Sequence, residues 1–321
     1  MSAPIVSVII STYNRAAYLP KAIDSMLAQT FRDWELILVN DGATDRTEEV
    51  VQPYLVRDRR LRYVTQANQG IASARNRALA QATGTYIAFL DDDDQWTPDK
   101  LEVQVAFMEA HSEIGMSHAA LRIIRPSESP DASAQRAAGT QEGPTDFEDL
   151  LCGYGIGLST VMVRRDLLTQ VSGFNASYPF NEDYDLWLRL AQRSRLWRIG
   201  QVLAETVKDD RAALSKDVFR SRHTGIQVLR NLKFVKPDSR LERLRRHQIA
   251  NLSYRLAREY YERARYWPAA RYFAGALWGN PWVGLAARRP GESGFKLMTR
   301  VAKSYAAVPA SVLQGMRHAC R

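Results

Sequence analysis

The residues most able to do chemistry are four consecutive carboxylates, Asp91 to Asp94. Adjacent carboxylates repel, and each proton kept off costs free energy unless a cation is near. Hard oxygen ligands suit Mg2+ or Mn2+, usually one or two carboxylates together with substrate phosphates. An acidic run alone is more often a solvated loop. Its placement changes that reading. Tyr86 to Leu90, just before it, is a short apolar run with aromatics, the pattern of a strand covered on both faces. Just after it, Thr97 reads as an N-cap, Pro98 as the first helical position and Asp99 as a first-turn acid, opening a helix towards His111. The acids thus stand at the carboxyl end of a buried strand, the rim where open α/β sheets bind ligands.

Other elements must place that rim. Ile5 to Ile10 reads as a central strand, with Ser11-Thr-Tyr-Asn14 at its carboxyl end. Leu19, Ile23, Met26 and Leu27 then share one helical face. Trp34 to Val39 is a second strand, ending in Asn40-Asp-Gly42, and Asp45 with Glu48 resembles a capping box for a helix towards Tyr54. Leu61 to Val64 is a third strand. A helix from Ile71 to Ala82, carrying Arg75 and Arg77, should stop at Gly84. Alternating strands and helices predict a mostly parallel sheet with right-handed crossovers. Further on, Gly115 to His118 and Leu158 to Val163 read as strands, and Arg164 to Val171 as a short helix. Pro126 to Pro144, rich in Ser, Ala, Gly and Pro, reads as a flexible loop. Asn181 is the expected N-cap of a helix with Glu182, Asp183 and Asp185 in its first turns and Leu186, Leu190 and Trp187 facing inward.

The chain of 321 residues carries a formal charge of +9, unevenly divided. From Lys216 onward there are 22 Lys and Arg against 6 Asp and Glu, a net of +16; before it the balance is 22 against 29, a net of −7. This asymmetry suggests two units with different partners: residues 1–215, and a basic helical region, 216–321. In the second, Asn251 to Pro281 resembles one helix–turn–helix repeat of the tetratricopeptide type, as well as an ordinary basic hairpin. Phe295 to Tyr305 places Leu297, Val301 and Tyr305 four apart among basic residues, a pattern for an anionic membrane surface or for packing. Two cysteines, Cys152 and Cys320, make neither a disulfide framework nor a metal spacing. No apolar stretch is long enough to span a bilayer, and no signal peptide is visible. A cytoplasmic protein is expected, with peripheral contact on the inner face of the membrane.

Residues 5 to about 215 resemble a family 2 glycosyltransferase with the GT-A fold. The matching segments are Val8-Ile-Ile-Ser-Thr-Tyr-Asn14, Val39-Asn-Asp-Gly-Ala-Thr-Asp45, Asn68-Gln-Gly-Ile-Ala-Ser-Ala-Arg-Asn76, Phe89-Leu-Asp-Asp-Asp-Asp94 and Glu182-Asp-Tyr-Asp-Leu-Trp187. Each is a weak signal alone; in this order, on the expected elements, they are strong together. The resemblance implies a Rossmann-like, mostly parallel sheet flanked by helices, followed here by the helical C-terminal region. It implies transfer of a sugar, with inversion, from a nucleotide diphosphate, UDP-type favoured, to a hydroxyl of a glycan or lipid-linked glycan. Thr12, Tyr13 and Asp41 would hold the nucleoside, Arg75 the base or ribose, and Asp91 and Asp92 would line the nucleotide. Asp91 and Asp93 fall on the DxD positions, with Asp93 first for Mn2+ or Mg2+ and Asp94 able to share or replace it. Asp183 would be the general base, beside Glu182. Members often carry an Arg-x-His-type segment after the last core strand; here Lys208 to Ser215 supplies only Arg211 for the diphosphate.

Rival classes fit less well. A nucleotidyltransferase or a dinucleotide oxidoreductase would put glycines after the first strand, where Ser11 to Arg15 has none. An inactive transferase-like protein that binds polyanions through its basic tail is the remaining alternative. Acids at every motif position weigh against it. Nucleic acid is not an expected partner.

Overall fold

The computed structural model describes residues 3–125, 141–153, 155–207, 217–263 and 265–279. The chain divides into two compact units, residues 1–150 with 154–214, and residues 151–153 with 215–321. Arg211, the stretch 126–140 and the segment Phe295 to Tyr305 lie outside the described residues.

The first unit is built on a nine-stranded sheet of order β3-β2-β1-β4-β8-β6-β9-β5, with β7 pairing β9. Its strands are β1 (Val6–Thr12), β2 (Trp34–Asn40), β3 (Leu61–Thr65), β4 (Tyr86–Phe89), β5 (Asp94–Trp96), β6 (Ile114–Ile124), β7 (Gly143–Thr145), β8 (Met162–Arg164) and β9 (Arg195–Val207). β1, β2, β3 and β4 pair in parallel, so Thr12, Asn40, Thr65 and Phe89 end on one rim. β8 runs antiparallel to both β4 and β6, and β6 runs parallel to β9. The sheet is therefore mixed but mostly parallel.

Burial on both faces explains the apolar runs. Val6, Val8, Ile10, Leu36, Leu38 and Ala88 pack in one core with α1 (Leu19–Leu27) and α4 (Lys100–Ala110). Residues of the other parity, Ile9, Ile37, Ile87 and Phe89, are also buried. α3 (Ile71–Leu79) packs on β1 and β2. The remaining helices of this unit are α2 (Thr47–Arg57), α5 (Phe147–Leu151), α6 (Arg165–Gln170) and α7 (Glu182–Ala191).

Several element ends differ from the sequence reading, each for a local reason. α4 begins at Lys100 with Asp99 as N-cap, because Thr97 donates its hydroxyl to Asp99 Oδ1 (2.7 Å) and its N–H to Leu203 O (3.1 Å). Asp94 to Trp96 are drawn into β5 by antiparallel pairing with β9. α3 stops at Leu79, and Gly84 is not its stop. Gly84 instead lets two backbones approach: a Cβ there would lie 2.5 Å from Ser7 N, and its N–H donates to Ser7 Oγ. Asp45 is one residue too early for a capping box: Arg46 is the N-cap of α2, and Asp45 accepts from the Thr47 N–H (3.0 Å) and from Ala16 N–H (2.9 Å). Leu158 to Thr160 form a 3-10 turn rather than strand, with the Thr160 hydroxyl turned back onto Gly157 O. Asn181 does occupy the N-cap of α7, but in a left-handed conformation (φ 57°) with no side-chain cap bond. β7 takes up the end of the segment expected as a flexible loop. β9 was not foreseen: Arg195 to Val207 mixes charged and apolar residues, since only part of it is buried.

The second unit holds α8 (Asp217–Asn231), α9 (Ser239–Glu262) and α10 (Tyr266–Gly279). Asp238 caps α9, accepting from the N–H groups of Arg240 (2.6 Å) and Leu241 (3.3 Å). Ala250, Tyr254, Ala257 and Tyr260 of α9 meet Ala269, Phe273 and Ala276 of α10 and Ile226 of α8 in a separate core. Their spacing of three and four residues is that of one helical face. Among the described residues, no helix is long and apolar enough to cross a membrane.

Candidate active site

The four acids emerge from β4 in alternation. Asp92 and Asp94 are buried, while the side chains of Asp91 and Asp93 are 34% and 35% exposed. Each buried acid turns to a hydroxyl. Thr12 Oγ1 donates to Asp92 Oδ2 (2.7 Å), and Ser159 Oγ donates to Asp94 Oδ2 (2.6 Å). Ser159 also accepts the Asp91 N–H (3.0 Å), and its carbonyl accepts the Trp96 indole N–H (2.7 Å). Burial pushes the Asp92 carboxyl up to about 6, against the pull of Thr12 and Arg15. Burial, then the charge of Asp91, pushes Asp94 up to about 7. The two inward acids thus hold their protons more tightly than the two open ones would in water, mainly because they are buried.

Arg75 joins this rim to the second acidic group. Its guanidinium is buried (4% exposed), and donates to Asp91 Oδ1 (2.8 Å) and to Glu182 Oε1. Phe174 packs on it: the Arg75 Cζ lies 5.4 Å from the Phe174 ring centroid, and that ring meets Phe89 edge-on at 5.3 Å. Phe174 is held by a two-way amide clamp, Asn76 Nδ2 to Phe174 O (2.8 Å) and Phe174 N–H to Asn76 Oδ1 (2.9 Å). Arg189 fixes the same loop, donating to Val171 O and to Gly173 O (2.8 Å) while paired with Asp185.

Asp183 follows Glu182 on α7. It is half-buried, and its Oδ1 accepts the Tyr184 N–H (2.7 Å). Burial, then the charge of Glu182, pushes its carboxyl up to about 6, opposed by Arg75. A carboxylate with that affinity for protons is a better base than an ordinary aspartate.

The residues expected on the nucleoside side also sit at the rim. Asp41 is buried and gathers the loop before α3: Oδ1 accepts from Gln66 Nε2 (2.7 Å) and Gln69 N–H (2.9 Å), and Oδ2 from Gly70 N–H (2.8 Å). Gly42 (φ 76°) must be glycine there, since a Cβ would lie 2.7 Å from Asn68 N. Tyr13 is 46% exposed beside the buried Thr12.

The fold therefore collects Thr12, Tyr13 and Asp91 to Asp94 on one rim, puts Asp41 just past the end of β2, and ties Glu182 to it through Arg75, with Asp183 next on α7. Two contributors, Ser159 and Arg15, were not foreseen, nor was the burial of Lys100 behind Trp96. Ser159 lies far along the chain, and nothing local marks it. Arg15 ends the Ser11-Thr-Tyr-Asn-Arg15 motif, and its pairing with Asp92 (Nε–Oδ1 3.2 Å) and with Asp93 gives that position a role. Lys100 is wholly buried, its Nζ 3.9 Å from the Trp96 ring centroid and bonded to Gln104, and burial pushes its amine well below the usual range.

Comparison with known proteins bears on this site. The family described as glycosyl transferase family 2 matches residues 7–150. A Bacillus subtilis (strain 168) protein, TuaG, provisionally named a teichuronic acid biosynthesis glycosyltransferase, is 35% identical over 204 residues, 63% of this chain and 78% of its own. WfgD of Escherichia coli, named UDP-Glc:alpha-D-GlcNAc-diphosphoundecaprenol beta-1,3-glucosyltransferase, is 33% identical over 195 residues, 60% of this chain and 72% of its own. The structure of S. aureus TarS 1-349 in complex with UDP-GlcNAc aligns with a TM-score of 0.67 at 19% identity, over 97% of this chain and 92% of that one. The mannosyltransferase PcManGT from Pyrobaculum calidifontis, in complex with GDP-Man and Mn2+, aligns with a TM-score of 0.61 at 18% identity, over 98% and 83%. The two structural likenesses speak to the fold.

Proposed function

The chain belongs to glycosyl transferase family 2, has the GT-A fold and is a glycosyltransferase of nucleotide-sugar donors; from that premise we propose an inverting transfer with Asp183 as general base. The donor is a UDP-type sugar. The acceptor is a hydroxyl of a glycan or of a lipid-linked glycan, the kind of acceptor that the name of WfgD states for that protein. One observation carries the reading: a single buried guanidinium, Arg75, holds the donor-side acid Asp91 and the base-side acid Glu182 together.

In this reading the acceptor oxygen attacks the anomeric carbon from the face opposite the diphosphate. The bond from that carbon to the diphosphate oxygen breaks, and the acceptor proton passes to Asp183. Oδ1 of Asp183 is anchored by the Tyr184 N–H, which leaves Oδ2 for the proton. One displacement inverts the centre, and no covalent nucleophile is needed. Arg75 fixes Glu182 beside the base, and Asp41 shapes the base-binding loop together with Tyr13. Thr12 reaches the nucleotide through Asp92, which it orients.

Two carboxylates beside a diphosphate would suit Mn2+ or Mg2+, and among the described residues no larger group of acids, histidines or cysteines is gathered for a metal. Asp91 and Asp93 offer half-exposed hard oxygens, while Asp92 and Asp94 are turned inward. Asp93 would hold the cation, with Asp91 beside it and Asp94 behind. When bound, the cation would offset charge on the departing diphosphate. PcManGT, a relative in fold, is described with Mn2+.

The basic second unit suits peripheral contact with an anionic membrane, from the cytoplasmic face. Each basic group near such a surface contributes about 1 kcal/mol. Co-sedimentation with anionic and neutral liposomes checks this; equal recovery in the supernatant would point to a soluble acceptor.

The main test is a release assay. The protein is incubated with a panel of nucleotide sugars, with and without Mn2+, and free nucleotide diphosphate is scored. One UDP-sugar should be hydrolysed well above the others. No release from any donor would revive the inactive, polyanion-binding alternative.

A further inference from the structure

Arg15 sits on a fixed backbone and carries an exchangeable head. Asn14 is left-handed (φ 54°), and its Oδ1 accepts the Thr44 N–H (2.7 Å). Ala16 N–H is held by Asp45 Oδ2 (2.9 Å), and Arg15 O accepts the Tyr18 N–H (3.0 Å). These three bonds tie down the backbone on either side of Arg15. The side chain is 41% exposed, with Cζ 5.0 Å from the centroid of the exposed Tyr18 ring. Its Nη2 pairs with Asp93, while its Nε is buried, lies 3.2 Å from Asp92 Oδ1 and makes no hydrogen bond.

Arg75 shows what a permanent clamp looks like here: 4% exposed, with a carboxylate on each side. Arg15 also lies between two carboxylates, Asp92 and Asp93, but its side chain faces solvent and its Nε makes no hydrogen bond. Ion pairs that face solvent are weak and screened by salt. Asp92 also has Thr12 as a partner and does not depend on Arg15 alone. A divalent cation on Asp93 would place two positive groups against one carboxylate oxygen pair. The guanidinium would be repelled, and the nearest new negative charge would be the diphosphate that arrives with the donor. A planar guanidinium fits phosphate oxygens two at a time.

We propose that Arg15 is a built-in counter-cation of the donor site, holding Asp93 until a divalent cation replaces it and then turning to the nucleotide diphosphate. The inference rests on the metal reading above. It makes Arg15 both a competitor of the metal and a partner of the donor, so the two affinities should move in opposite directions when it is removed.

The test is Mn2+ titration by electron paramagnetic resonance, without nucleotide, and calorimetric titration of UDP in saturating Mn2+. Arg15→Ala should bind Mn2+ alone about fivefold more tightly, because a neighbouring unit charge is gone. It should bind UDP about tenfold more weakly. Arg15→Lys, which keeps the charge, should leave Mn2+ affinity near wild type and recover part of the UDP affinity. If Arg15→Ala weakens both ligands together, or changes neither, the inference is overturned and the residue is a structural clamp. Asp93→Ala separates the two readings. If it binds Mn2+ as well as wild type with UDP present, the metal reading fails first and takes this inference with it. Thermal melts of each variant show that the fold is retained.

Discussion

The acids after β4 and the acids at the start of α7 are held in opposite ways. Asp91 to Asp94 come from one strand end, and their partners are spread over the unit: Arg75, Thr12, Arg15 and Ser159. Glu182 and Asp183 come from one helix turn and lean on Arg75 and on the backbone N–H of Tyr184. The first group alternates inward and outward, which suits a site that takes a cation on its open acids. The second pairs one fixed acid with one poised acid, which suits proton transfer. Chemistry is separated by how neighbours are arranged, not by residue type, since both groups are carboxylates.

Removing the poised acid should have the largest effect. Asp183→Asn keeps the shape and loses basicity; turnover in the release assay with acceptor should fall about 10²-fold or more, while UDP affinity stays within about twofold. Turnover near wild type would move the base to Glu182 and dissolve the contrast between the two groups. Arg75→Ala comes next. It leaves Glu182 buried beside Asp91 with no counter-charge, and breaking a buried pair in this way costs about 3 kcal/mol. Thermal melts should drop by several degrees, and turnover should fall with them; an unchanged melt would mean that the two groups are held independently.

Asp93→Ala tests the open acids. Most of the Mn2+-dependent part of UDP affinity should vanish, about tenfold, with little change in cation-free binding. Calorimetry that finds equal UDP affinity with and without Mn2+ in the wild type would remove the cation from the comparison. The mildest probe is pH. Asp183 has its carboxyl raised to about 6 and must be ionised to accept a proton. Turnover should therefore rise with pH up to about 6 and level off above it, falling about tenfold per unit below. A flat profile between pH 5 and 7 would assign the limiting proton transfer elsewhere.

Much of the first unit was legible in the sequence. β1, β2 and β4 are mostly apolar because α1 and α4 pack on one face of the sheet and α3 on the other. The rim motifs were legible as well, since Asp91 to Asp94 follow such a strand directly. β9 was not: its 13 residues mix charged and apolar types without the period-two alternation that marks a strand, because only part of it is buried. The start of α4 was misplaced because the cap signal of Thr97 and Pro98 was local, while the bond that took the Thr97 N–H came from Leu203.

By itself the sequence determined the family motifs, the parallel half of the sheet and the two-part charge of the chain. These follow from local pattern: burial on both faces writes apolar runs, and composition needs no partner. Only the tertiary structure decided which two of four acids turn inward, because Thr12 and Ser159 donate from 80 and 65 residues away. It alone set Arg75 between Asp91 and Glu182, the second of these 107 residues distant. A carboxylate's partner depends on which strand ends share a rim, and that is fixed by β1, β4 and β8 pairing across the sheet.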